Sequence, residues 1–220
     1  MGNALLAQDC LLCGGAGTDG LVCRACRQDL PILGGGCPVC AEDSPGNAIC
    51  GACLKSPPRF DGTLAPFVYA FPLDKLVQAL KYQHRLAVAG FLAEAMLAGP
   101  RPQGDLIVPL PLSSTRLRER GFNQAAEIAR PLARALGLPL DLDGFTRRLD
   151  TVAQATLPWK ERRRNVRHAF ECGRDLSGRT IIVVDDVMTS GATLDEFART
   201  AKDHGALRVI NWVAARARRH

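Results

Sequence analysis

The alternation of apolar and polar positions divides this chain of 220 residues into short β-like runs and longer stretches of helical spacing. The clearest stretch is Thr180 to Gly205, TIIVVDDVMTSGATLDEFARTAKDHG. Ile181 to Val184 form a continuous β-branched run, which predicts a strand buried on both faces of a parallel sheet. Asp185 and Asp186 stand at its C-terminal edge, and a loop of small residues, Thr189 to Thr193, follows. Leu194, Phe197, Ala198 and Ala201 then recur at helical spacing, with Gly205 as the stop. Upstream, Leu64 to Phe71 alternates and reads as a strand. Asp74 to Tyr82 carries Leu76, Val77 and Leu80 on one side, an amphipathic helix, and an Ala-rich helix over 85–98 follows His84. Asp105 to Val108 is a second strand, ending in Pro109-Leu110-Pro111. A helix is expected from near Asn123, with a kink or break around Arg130 because Pro131 lacks an N–H. Asn165-Val166 leads into a further strand, and Leu207 to Ala215 is the last one. The basic tail Arg216 to His220 is expected to fray. His84 has no acidic partner or second His near it and reads as a surface residue.

The first 60 residues follow a different rule. Eight of the nine cysteines form four C-x-x-C pairs, Cys10/Cys13, Cys23/Cys26, Cys37/Cys40 and Cys50/Cys53, and a shift of 27 residues maps the first four onto the last four. Paired knuckles at a fixed repeat point to closed four-thiolate zinc sites, which are structural, more than to disulfides or a redox pair. Two pairings are open: sequential ribbons (Cys10, Cys13, Cys23, Cys26 on one zinc and Cys37, Cys40, Cys50, Cys53 on the other), or a cross-braced arrangement. Cys172 is left over and reads as a small core residue. Ser56-Pro57-Pro58 breaks regular structure and divides the chain into a zinc module, 1–58, and a larger domain, 59–220.

Size and charge narrow the class. At 220 residues and 47% hydrophobic content the chain can build a real core. It has no run of 18 apolar residues for a membrane span. Its opening, MGNALLAQDC, lacks the features of a secretory signal, so a cytoplasmic protein without membrane insertion is expected. The net charge of +6 is uneven: residues 1–60 hold four Lys/Arg and five Asp/Glu, leaving +7 on the remainder. That balance suits a polyanionic ligand such as pyrophosphate or nucleic acid, and also suits ordinary solubility.

The stretch from Thr180 carries the candidate chemistry. Ligands of open α/β sheets bind outside the carboxyl ends of the strands. A short loop opening a helix presents N–H groups and a positive dipole end to a phosphate. Gly191 allows close backbone approach, and Thr189, Ser190 and Thr193 add hydroxyl donors. Two carboxylates beside a phosphate site make sense as acceptors for ribose hydroxyls. Arg116, Arg118 and Arg120 lie between the second strand and the helix near Asn123, where they suit a diphosphate or form a solvated face. From Arg147 to Arg167 there are seven basic and two acidic residues.

Residues 181–193, IIVVDDVMTSGAT, resemble the phosphoribosyl pyrophosphate (PRPP) loop of type I phosphoribosyltransferases. PLSSTRLRERGFNQA resembles the segment R-x-x-x-R-G-F-N-Q of ComF-family proteins. These are phosphoribosyltransferase-like proteins, often with an N-terminal zinc ribbon, linked in bacteria to uptake or use of DNA. Arg147, Thr151, Gln154, Leu157, Arg162 and Asn165 match a further motif of that family, so the likeness runs nearly end to end. The resemblance implies a type I phosphoribosyltransferase-like fold, α/β, with an open, mainly parallel sheet flanked by helices. It implies that Asp185 and Asp186 hold the ribose hydroxyls. Val187 continues the loop, and Met188, Thr189, Ser190, Gly191, Ala192 and Thr193 cradle the 5′-phosphate. Pro111, Leu112 and Arg116 fall in the pyrophosphate-loop region, and Arg120, Asn123 and Gln124 in the R-G-F-N-Q segment. Arg147, Thr151 and Gln154 fall in a mobile loop that closes over PRPP, where Arg147 acts on the departing pyrophosphate.

Two functions follow from the resemblance. One is Mg²⁺-dependent transfer of phosphoribose from PRPP to an acceptor that the sequence does not name, with release of pyrophosphate. The other is a non-catalytic adaptor that senses PRPP or binds single-stranded DNA, working with competence proteins such as a DNA helicase or translocase. A glutamine-dependent amidotransferase is set aside, because it needs a nucleophilic Cys at its start and residue 2 here is Gly. The oligomeric state is not specified by the sequence.

Overall fold

The structure is a computed structural model, and it describes residues 9–16, 20–148 and 166–218. Two short helices, α1 (Arg24–Gln28) and α2 (Gly51–Lys55), belong to the cysteine-rich segment. The rest follows as β1 (Gly62–Leu64), β2 (Phe67–Val68), α3 (Leu73–Gln83), α4 (Ala87–Ala98), β3 (Leu106–Pro109), α5 (Ser114–Arg120), α6 (Gln124–Leu136), β4 (Phe145–Arg147), β5 (Phe170–Cys172), β6 (Thr180–Met188), α7 (Ala192–Asp203) and β7 (Arg208–Arg216). The main sheet has the order β1–β7–β6–β3, with β2 also paired to β7, and every pairing is parallel. This is the open, mainly parallel α/β architecture expected from the sequence.

The β-branched run is buried for the reason its composition suggests. Side chains of a strand alternate between faces. Ile182 and Val184 enter the core formed with α3, α4 and α6, among Leu76, Leu80, Leu92, Ile128 and Leu132. Ile181 and Val183 enter the opposite core, among Phe145, Phe170, Phe197, Ala198 and Ala201. Both faces are covered, so no polar position interrupts Ile181 to Val184. β4 and β5 form a separate antiparallel pair on this second side, and Phe145 and Phe170 close on the Phe197 ring at 4.4 and 5.7 Å.

Four expectations are corrected. The run Leu64 to Phe71 is not one strand: it breaks at Ala65-Pro66 into the end of β1 and the two residues of β2. Pro66 has no N–H for a ladder, and its carbonyl instead accepts from Leu33 N of the cysteine-rich segment. Pro131 does not end α6, which runs unbroken to Leu136. Ile128, Ala129, Leu132 and Ala133 are buried on either side of it, and this packing outweighs the one lost hydrogen bond. β6 does not stop before the acids but continues through them to Met188, because β7 accompanies it as far as the pair Met188↔Arg216. Arg216 is therefore not part of a frayed tail: it ends β7 and is fully buried.

The two halves of the cysteine repeat straddle the sheet. Cys10, Val22 and Leu30 pack into the core of α3 and α4, where Arg27 lies 4.8 Å over the Phe91 ring. Cys37, Cys40 and Cys53 pack into the other core with Phe60 and Met188. The cysteine-rich segment and the sheet thus share both hydrophobic cores.

Candidate functional site

The site opens where β3 ends and β6 does not. Their pairing stops at Pro109↔Val184. Leu110 N–H still donates to Val184 O at 2.8 Å, and the chain then turns away into α5. Asp185 and Asp186 are thereby uncovered on one side, at the carboxyl end of the sheet. A cleft of about 460 Å³ lies there. Asp185, Asp186, Val187, Met188, Thr189, Gly191 and Thr193 line it from β6 and its loop. Pro111, Leu112, Arg116, Arg120 and Gln124 line it from the β3 side, and Arg147 from β4. Arg147 is brought there by a parallel bridge between its backbone and that of Ser113, and its guanidinium lies 5.6 Å over the Phe170 ring.

Three of the expected residues point elsewhere. Asn123 caps α6, accepting from Ala125 N at 2.9 Å and donating to Leu110 O at 3.1 Å. Ser190 and Ala192 face a second cleft toward the cysteine-rich segment, and the Ser190 hydroxyl accepts from Ala192 N at 3.2 Å. Thr151 and Gln154, with Leu157, Arg162 and Asn165, lie outside the described residues.

The loop after β6 is short because one residue turns it. Gly191 sits at φ +77°, in the left-handed region, and is the N-cap of α7. A Cβ there would meet the terminal methyl of Met188 at 2.6 Å, a group that can swing aside, so it is the backbone conformation that requires glycine. The start of α7 then presents N–H groups and a positive dipole end toward Thr189 to Thr193.

The two carboxylates are not equivalent. Asp186 is 2% exposed and is held by two groups. Lys81, from α3, forms an ion pair with it, and Gln124 Nε2 donates to its Oδ1 at 3.0 Å. Burial opposes its charge, but the Lys81 ammonium and these hydrogen bonds hold the carboxyl below the usual carboxylate range. Asp185 is half-buried, and its Oδ1 accepts from Asp186 N at 2.8 Å. Burial and the neighbouring Asp186 charge push it well above that range. The paired acid carries the charge and its neighbour resists ionising.

Lys81, Gln78, Tyr69, Tyr82 and Glu119 also line the cleft, and sequence reasoning did not find them. Gln78 and Lys81 recur at helical spacing opposite the buried Leu76, Val77 and Leu80, but that face gives no sign of its destination. His84, exposed as expected, ends α3 and faces Arg120 O at 3.1 Å through Nε2. Arg120 in turn donates to Gln124 at 2.7 Å and lies 5.7 Å over Tyr82.

The thiols form two sequential groups, Cys10, Cys13, Cys23, Cys26 and Cys37, Cys40, Cys50, Cys53, each with all Sγ atoms within 4.8 Å of one another. The cross-braced alternative is not what the chain adopts. Sγ separations of 3.9 Å (Cys13–Cys23) and 3.7 Å (Cys40–Cys50) match the edge of a tetrahedron with metal–sulfur bonds of about 2.3 Å, roughly 3.8 Å. The backbone N–H of Cys23 reaches Cys10 Sγ at 3.3 Å, and that of Cys50 reaches Cys37 Sγ at the same distance. Against burial, such donors lower the Cys10 thiol to about 6 and the Cys37 thiol to about 7, while burial carries Cys40 up to about 11. A divalent cation is what allows all four to be thiolates together. Four closed sulfur donors and no open position fit structural zinc.

Residues 1–54 match the double zinc ribbon domain, and residues 123–220 match the phosphoribosyl transferase domain. A chain with a paired zinc ribbon ahead of a phosphoribosyltransferase-type sheet is the class that fold and site define. A DNA utilization protein, YhgH, of Escherichia coli O157:H7 is 34% identical over 202 residues, covering 88% of this chain and 87% of its own. Competence protein F of Haemophilus influenzae is 32% identical over 76% of this chain and 78% of its own. Competence protein ComFC of Bacillus subtilis is 28% identical over 85% of this chain and 80% of its own. The chain belongs to the ComF family of competence and DNA-utilisation proteins. No helix among the described residues is long and apolar enough to cross a membrane.

Proposed function

We propose that this protein binds PRPP with Mg²⁺ and transfers its phosphoribosyl group to an acceptor, releasing pyrophosphate. The observation that carries the reading is the single cleft that joins Asp185 and Asp186, the glycine-turned loop at Thr189 to Thr193, and Arg116, Arg120 and Arg147. Each part suits one part of PRPP. The loop and the start of α7 receive the 5′-phosphate. The carboxylates accept from ribose hydroxyls, with Asp186 oriented by Gln124 and Lys81. The arginines face the pyrophosphate, whose charge grows as the glycosidic bond breaks. Arg147 sits at the end of β4, where the chain leads into the segment containing Thr151 and Gln154. Because Lys81 and Gln124 already engage Asp186, Asp185 is the acid that would be left to hold Mg²⁺ brought by PRPP, and the ion would supply charge neutralisation of the pyrophosphate.

The setting proposed for this work is the cytoplasm, in DNA uptake or utilisation. The names of the relatives and the thiol groups suited to a reducing compartment support this. The relatives' names and the charge of +7 beyond residue 60 also support an adaptor that binds PRPP or single-stranded DNA without turnover. A pyrophosphate-release assay with PRPP, Mg²⁺ and a panel of bases, amines and nucleic-acid fragments separates the two. Acceptor-dependent release is expected of the enzyme. Tight PRPP binding with no release from any acceptor supports the adaptor.

A further inference from the structure

Arg216 has no solvent exposure, yet it is the most heavily bonded side chain near the phosphate loop. Its Nε donates to Cys40 O at 2.8 Å, and its Nη2 pairs with the Glu42 carboxylate at 2.6 Å. Its Nη1 donates to Met188 O at 3.1 Å and Thr189 O at 2.6 Å, and it also reaches Ala217 O. Cys40 is a ligand of the second cysteine group, and Glu42 lies two residues beyond it. Met188 ends β6, and Thr189 begins the loop. One planar guanidinium therefore bonds the metal knuckle and the phosphate loop at once. An uncompensated buried guanidinium is strongly disfavoured, so both sets of partners must be in place together.

These bonds also orient the loop. The C=O and N–H of a trans peptide point in opposite directions. The carbonyls of Met188 and Thr189 turn toward Arg216, so the N–H groups of Thr189 and Ser190 turn away from it. Two further contacts join the same parts. Arg59 N–H donates to Asp195, in the first turn of α7, at 2.5 Å. Phe60 packs with Cys53 and Met188 and lies under Gly191. The first cysteine group packs into the other core and makes none of these contacts.

We propose that Arg216 is a positioning residue through which the second cysteine group governs the order of the phosphate loop. With metal in that group the loop is held ready for an anion. With the metal removed, Cys40 and Glu42 shift, the guanidinium loses its anchor, and the loop loosens. The ligand half of this proposal rests on the PRPP reading above; the loop-ordering half does not. Coupling between two sites is reciprocal, so PRPP binding tightens zinc in the second group and leaves the first unchanged.

The test uses the full zinc-loaded chain, with Arg216→Lys and Glu42→Ala. Without PRPP, hydrogen exchange at residues 189–193 is expected to quicken by about tenfold or more in both variants, with α6 and β3 unchanged and two zincs retained. Unchanged loop exchange in either folded variant overturns the proposal. Chelator competition on the unmutated chain tests the coupling without any substitution: PRPP with Mg²⁺ should raise zinc affinity at one of the two sites by about fivefold or more, and equal affinities at PRPP concentrations that calorimetry shows to saturate the chain contradict it. PRPP affinity by calorimetry should fall by about tenfold in both variants. If the unmutated chain gives no binding heat with PRPP, the substrate reading fails while the exchange result stands on its own.

Discussion

Replacing Lys81 by Met tests the electrostatics of the site. Asp186 is 2% exposed at its side chain and Lys81 is 21% exposed. The substitution keeps the length of the side chain and removes the ammonium, leaving a buried carboxylate beside Asp185 with only Gln124 as donor. Removing one partner of a buried ion pair costs about 3–5 kcal/mol. Because water reaches Lys81, the cost falls at or just below the bottom of that range, about 2–3 kcal/mol at neutral pH. For a chain of this length each 1 kcal/mol shifts Tm by roughly 2–4 °C, so Tm should fall by about 4–12 °C. The pH dependence fixes the sign. Asp186 has a depressed carboxyl pKa in the fold. Its contribution is therefore present above the unfolded value near 3.9 and is lost as pH falls through the folded one. The gap between Lys81→Met and the unmutated protein should close in acid. Urea unfolding of Lys81→Met, Asp186→Asn and the double variant forms a cycle with an expected coupling of about 2 kcal/mol. A coupling near zero, or a loss that persists undiminished at pH 3, would refute the assignment.

Purified without chelator, the chain should carry two zinc ions, and stripping them should unfold the cysteine-rich segment, since each structural site contributes on the order of 10 kcal/mol; a ratio near zero with disulfides by mass spectrometry refutes this. Asp185→Asn should raise Tm at pH 7 by roughly 2–4 °C, about 1 kcal/mol. The carboxyl of Asp185 is raised in the fold, so its favourable contribution is complete below the unfolded value and lost as pH rises; a lower Tm by calorimetry contradicts that sign. Arg147→Ala should reduce kcat with PRPP by tenfold or more while changing PRPP affinity little, because its cation faces the leaving group; equal losses in kcat and affinity, measured together, place it in ground-state binding instead.

The parts of the fold that were legible are those whose cause is local. Ile181 to Val184 could be read because burial on both faces removes every polar residue from the run. The ends of α3 and α4 follow helical periodicity. Gly191 and Gly205 mark turns that need positive φ, and both have it. Less legible features depend on distant partners. α5 went unread although Ser113 and Gly121 bracket it, because Pro109-Leu110-Pro111 and a run of arginines look like loop. Lys81 sits in an ordinary polar helix face, and only the pairing with Asp186 gives it a role. Arg216 belongs to a basic terminal run that resembles a solvated tail, and its partners lie at Cys40, Glu42 and Met188. Spacing alone left the cysteine pairing open, and packing on opposite faces of the sheet separates the two groups.

PRPP binding is the central claim, and calorimetric titration of PRPP with Mg²⁺ tests it most directly, comparing the unmutated chain with Asp185→Asn/Asp186→Asn. A carboxylate bonded to a ribose hydroxyl is worth roughly 1.5–3 kcal/mol, so the double variant should lose on the order of a hundredfold or more in affinity while keeping its fold by circular dichroism. Unchanged PRPP affinity in the double variant, or no binding by the unmutated protein, would contradict the assignment of this cleft.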